Sequence, residues 1–209
     1  MHQFNLFLSS LLIFFSSSLI SEYLINITFE SDFQFKSQGI FIKELKNSNS
    51  KRQIENILKE QDWIKNYSLV FKPFKKEVYL SIVNRDPVFV LNNEFFYDIH
   101  LYKFKFDNSN RDLIKVTGPV NDERNIIDII KTIESVSKIN FDINEIVYSY
   151  VSGWEVATDK TLIRFGKDLT KKKLQNFKDT SNYLFEIGKI PSIIDMRYKD
   201  GVAINYGKQ

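Results

Sequence analysis

The sequence predicts an α+β protein in which a single N-terminal transmembrane helix leads into two small units, the second built on an antiparallel sheet with two or more helices. Three observations carry that expectation. They are an apolar run near the N-terminus, strand-like alternation interrupted by helix-period stripes, and a break at Arg85-Asp86-Pro87 between two such sets.

The apolar run comes first. From Phe4 to Ile25 the chain reads FNLFLSSLLIFFSSSLISEYLI, with no charge before Glu22, about the length a bilayer-spanning helix needs. A cleaved secretory signal is the main alternative, although no basic region precedes the run and no small-x-small site follows it. A buried core helix is the third. Only His2 and the α-amino group precede the run, whereas Lys36, Lys43 and Lys46 follow it. Flanking charge therefore gives almost no orientation.

A strand is expected over Asn26–Phe35, broken at Gln38-Gly39. Ser50 with Gln53 resembles a capping box, and Ile54, Ile57, Leu58 and Gln61 share one face of a short helix ending near Trp63. Tyr67–Phe71 and Glu77–Val83 form a hairpin around Pro73. Beyond the break, Val88–Leu91 and Phe95–Ile99 flank the turn signal Asn92-Asn93-Glu94. Leu113–Thr117 is strand-like and stops at Gly118-Pro119. Asn121 is placed to cap a helix with the stripe Ile126, Ile127, Ile130 and Ile133. Ile143–Tyr150, Trp154–Ala157 and Thr161–Phe165 read as consecutive strands. A last helix aligns Leu174, Phe177, Ser181, Leu184 and Phe185. Finally Ile194, Met196 and Tyr198 alternate with polar residues, Lys199-Asp200-Gly201 turns, and Val202, Ile204 and Tyr206 alternate again. On pattern alone that last strand is equally a core strand or an open sheet edge able to recruit another strand.

Composition narrows the chemistry. The net charge of +3 comes from scattered charges without a basic stripe, which gives little support for nucleic-acid binding. Having no cysteine excludes disulfides and thiolate chemistry. His2 and His100 cannot form a histidine metal cluster. No nucleophile elbow, zincin helix or phosphate-cradling loop is present. Asp122 with Glu123, and Asp195 with Asp200, are conceivable acid/base pairs with simpler roles as caps and turn residues. Lys171–Lys173 reads as a solvated helix face. No catalytic residue, cofactor or metal is assigned.

Five segments, taken in order, resemble the FtsQ/DivIB family of bacterial division proteins. They are Trp63-Ile64-Lys65 with the hairpin Tyr67 to Ile82; Arg85-Asp86-Pro87-Val88; Leu113 to Pro119 and its helix; Trp154-Glu155-Val156 with Thr161 to Gly166; and Ile194-Asp195-Met196-Arg197-Tyr198 with Gly201 to Tyr206. The resemblance implies a non-enzymatic inner-membrane scaffold of the septum. Residues 1–3 would be a vestigial cytoplasmic tail, 4–25 the anchor, 26–86 a POTRA-like domain and 87–209 the β domain, with both domains in the periplasm. It further implies that the last strands pair with an FtsB-like protein joined to an FtsL-like one. Arg197 would then meet a partner acid, Tyr198 and Tyr206 would clamp a partner aromatic, and Gly201, Val202, Ile204 and Tyr206 would lie along the paired strand. A periplasmic POTRA-containing transport or assembly protein is the alternative. The sequence departs from the family in its short tail, in a POTRA-like segment that looks too short for a first helix, and in having Ser152 and Gly153 where a basic residue precedes the tryptophan in some relatives.

Overall fold

The computed structural model describes residues 23–31, 33–109, 113–136, 138–199 and 201–207. The chain divides into two units, Met1–Asn84 and Arg85–Gln209.

In the first unit, strand β1 (Leu24–Phe29) is followed by helices α1 (Gln38–Lys46) and α2 (Lys51–Lys59) and strands β2 (Ile64–Lys72) and β3 (Glu77–Asn84). The sheet order is β1-β3-β2, with β1 parallel and β2 antiparallel to the central strand. Alternation along β3 buries Val78, Leu80 and Ile82, as expected where one sheet face meets helices. Helix α1 is present where the sequence suggested no room for it: Phe41 and Leu45 are buried one turn apart, and Gln38, taken as a pattern break, is its first residue. Helix α2 begins as predicted, since Ser50 Oγ accepts from Gln53 N at 3.3 Å. The return arm differs, because Gln53 Oε1 accepts from Asn49 N at 2.9 Å. The expected anchor over 4–25 lies largely outside the described residues, and Leu24 and Ile25 belong to β1. Among the described residues no helix is long and apolar enough to cross a membrane.

The second unit holds β4 (Pro87–Leu91), β5 (Phe95–Asp98), β6 (Lys103–Lys105), β7 (Ile114–Thr117), α3 (Arg124–Glu134), β8 (Ile143–Ser149), β9 (Gly153–Thr158), β10 (Leu162–Gly166), α4 (Lys171–Glu186), β11 (Ile193–Asp195) and β12 (Ala203–Asn205). They form one nine-stranded sheet in the order β12-β11-β10-β9-β8-β7-β4-β5-β6. This sheet is mixed rather than antiparallel, because β4–β7, β7–β8 and β10–β11 pair in parallel. Parallel neighbours need a crossover, and α3 and α4 supply the last two. The β4–β5 turn takes left-handed backbone at Asn92 and Asn93, with φ of 52° and 55°, the geometry that right-twisted strands favour. Asn121 does not cap α3; the first-turn N–H of Arg124 is met by Asp122 Oδ1 at 3.1 Å.

Register explains the core. Leu91, Val116, Ile146, Val156, Ile163, Ile194 and Ile204 stand opposite one another across seven strands. They pack with Ile126, Ile130 and Ile133 of α3 and Phe177 and Leu184 of α4. The neighbouring row, Val147, Glu155, Arg164, Asp195 and Ala203, lies on the other face, because successive strand residues alternate sides. Phe185, expected on the buried face of α4, is exposed.

Candidate functional site

Strand β12 ends the sheet, and among the described residues no strand pairs with its outer side. Its pairing with β11 sets Ile193, Ile194 and Asp195 opposite Asn205, Ile204 and Ala203. Val202 and Ile204 are half-buried against the core, while Ala203 and Asn205 are exposed. Both alternatives left open by the pattern therefore apply to the same strand: one side face packs the core and the outer edge is open.

Tyr198 is 57% and Tyr206 43% exposed. The β11–β12 register puts them at opposite ends of the strand pair. Continuing it past Asn205 sets Tyr206 beside Ser192, whereas Tyr198 follows the last residue of β11 by three positions. Tyr206 borders a hollow of about 560 Å³ lined by Lys189, Ile190 and Gly207, with Lys189 Nζ 5.5 Å from its ring centre. Gly201 is exposed next to the turn.

Arg197 is already engaged within the chain. Its Nε lies 2.9 Å and its Nη2 2.6 Å from the two oxygens of Asp195, whose side chain is 9% exposed. Burial pushes the Asp195 carboxyl up, but hydrogen bonds from the Arg197 side chain and backbone, with the charges of Arg197 and Arg164, outweigh it and hold the pKa below the usual carboxylate value. Arg164 in turn pairs with Glu155 at 3.0 Å. A row of alternating charge thus crosses β9, β10 and β11 and ends at Arg197 beside the open strand.

Of the two residues before Trp154, one is sterically barred from carrying a basic side chain. Gly153 has φ of +77°, and a Cβ there would collide with the backbone of Gly166, so position 153 has no room for a side chain. Gly166, at φ +78°, also makes room: a Cβ would meet Arg197 Cγ at 3.0 Å and Lys173 Nζ at 3.6 Å. Lys173 therefore stands near Arg197 as a second cation, its Nζ donating to Phe165 O at 3.0 Å. The sequence did carry a signal for it, since lysines in the first turn of a helix oppose the helix dipole and so call for another partner.

The carboxylates considered for acid/base work are occupied otherwise. Asp122 holds Arg124, Glu123 accepts from the Tyr97 hydroxyl at 3.2 Å, and Asp195 holds Arg197; Asp200 lies outside the described residues. His100 sits at the surface after β5, its backbone N–H bound to Asp98.

The second unit is thus a mixed sheet packed on one face by two helices and ending in an uncharged strand whose outer edge no described strand pairs. The model of the C-terminal domain of the cell division proteins FtsQ and DivIB matches residues 96–197. Over that stretch, just under half of its length, the chain resembles the FtsQ/DivIB family of cell division proteins. The match ends at Arg197, so β12 and Tyr206 lie beyond it. No individual curated protein matches the chain.

Proposed function

We propose that this protein is a non-enzymatic scaffold of the bacterial division apparatus. Its apolar N-terminal run holds it in the inner membrane at the septum, the first unit serves as a POTRA-like domain, and the second is the β domain. In this reading an FtsB-like protein, joined to an FtsL-like one, adds a strand to β12. The open, uncharged edge of β12 is the observation that carries the proposal, because main-chain pairing supplies affinity there while alternate side chains supply specificity. Tyr198 near the turn and Tyr206 at the far end act as separate anchors, and Arg197, steadied by Asp195, presents its remaining donors to a partner acid.

The test is calorimetric titration of the full chain in nanodiscs with an FtsB-like peptide. Tyr206→Ala is expected to weaken binding by about 2 kcal/mol, as loss of an aromatic anchor commonly does. Unchanged affinity in a folded variant overturns the assignment of the edge.

A further inference from the structure

We infer that the β2–β3 loop of the first unit is a contact for an anionic lipid bilayer, made by Phe74 with Lys72, Lys75 and Lys76. The inference rests on the proposed membrane anchor. Its own basis lies in described residues. Leu24, the first residue of β1, donates its backbone N–H to Lys76 O at 2.8 Å. The loop tip is therefore tied to the point where the chain leaves its apolar N-terminal run, and only Glu22 and Tyr23 separate Leu24 from the uncharged residues 4–21. A loop fastened there lies at the height of the lipid headgroups once that run spans the bilayer.

The composition of the tip suits that height. Phe74 is fully exposed, held out by the 3-10 turn Pro73–Lys75 and by Lys76 in left-handed backbone at φ 54°. Single exposed apolar residues are ordinary, but this one has three lysines within two residues of it. Leu24, Val70 and Tyr79 extend exposed apolar surface over the loop end of the open sheet face. Tyr23, edge-on to Phe71 at 6.0 Å, adds an aromatic where such side chains gather at the water–lipid boundary. Lys72 lies 4.2 Å from the Tyr79 ring centre. Glu77, the carboxylate at the root of the loop, accepts from Tyr79 Oη at 3.0 Å. The local charge is thus positive, complementary to phosphate headgroups, and lysine stems can lie along the apolar surface while their amines reach those phosphates.

The chain has no cysteine, so Phe74→Cys gives one attachment point for an NBD fluorophore, and Asn66→Cys, toward the other end of β2, gives a control. The protein is reconstituted in phosphatidylcholine vesicles with and without phosphatidylglycerol. The label at 74 is expected to shift to the blue and to be quenched by shallow spin-labelled lipid, roughly twofold more with the anionic lipid, while the label at 66 stays aqueous. Lys75→Glu with Lys76→Glu should remove the dependence on anionic lipid. Protein that resists alkaline carbonate extraction yet keeps an aqueous label at 74 overturns this inference alone. Release by carbonate overturns the anchor reading and the inference together.

Discussion

The two ends of the nine-stranded sheet are three-residue edge strands with opposite character. At one end β6 reads Lys103-Phe104-Lys105, buries Phe104, and sets Lys103 Nζ 3.6 Å from the Phe95 ring centre. Nearby, Arg85 stacks on Tyr102 at 3.2 Å and meets Asp98 at 3.4 Å. At the other end β12 reads Ala203-Ile204-Asn205, with no charge in the strand and a tyrosine on either flank of the hairpin. Lysines along an edge deter a further strand. One end is closed chemically while the other is left available.

The sharpest way to break that comparison is to remove both tyrosines at the available end. Because the register places them at opposite ends of the strand pair, Tyr198→Ala combined with Tyr206→Ala is expected to cost about 4 kcal/mol of partner affinity, the sum of the single losses to within about 0.5 kcal/mol. A double-mutant cycle by calorimetry checks this. Strong coupling would restore the idea of a shared clamp.

The two ends also answer to opposite extremes of pH. Beside the closed end, Tyr97 is buried against Phe89 and donates to Glu123; burial first, then the carboxylate charge, pushes its phenol up to about 12. The unfolded chain releases this proton near pH 10, so above that pH the folded state holds the extra proton and stability falls as pH rises. The loss should approach about 2 kcal/mol by pH 12. Urea unfolding across that range would show it, and Tyr97→Phe would remove it.

At the available end the sign reverses. The lowered pKa of Asp195 means its ion pair stabilises the fold above the unfolded carboxylate value of about 3.9, and that contribution is lost as pH falls through the folded value. Arg197→Gln is expected to raise the Asp195 pKa, visible by carbon-detected NMR titration, and to destabilise the protein at neutral pH with a deficit that closes in acid. An Arg197 variant with weakened partner binding must therefore be compared with Asp195→Asn before the loss is credited to a partner acid.

Much of this was legible from local pattern. The β4–β5 turn followed from Asn92-Asn93, the stripe of α3 from its isoleucines, and the final hairpin from its alternation. Other features were not, each for a physical reason. Helix α1 lacks a side-chain cap at Ser37 and opens on Gln38-Gly39, so its helical character rests on Phe41 and Leu45 finding the core. The strand β6 is too short to show a period. The parallel pairings, the separation of the two tyrosines and the meeting of Gly153 with Gly166 all depend on register between distant strands, which no single stretch of sequence encodes. At the site, the tyrosines and Arg197 were visible as residue types; the pairing of Arg197 with Asp195 and the nearness of Lys173 to Arg197 became visible only with the fold.

The smallest expected effect concerns the lysines of the closed end. Lys103→Ala with Lys105→Ala removes exposed charges, and such surface changes should move folding stability by no more than about 0.5 kcal/mol and leave partner affinity unchanged. What should change is company: with the charges gone, β6 becomes a second neutral edge, and sedimentation velocity is expected to reveal concentration-dependent self-association. The reciprocal variant, Ala203→Lys with Asn205→Lys, should instead abolish partner binding while the protein stays monomeric. If both double variants behaved alike, charge would not be what distinguishes the two edges, and the length and burial of the strands would have to do so.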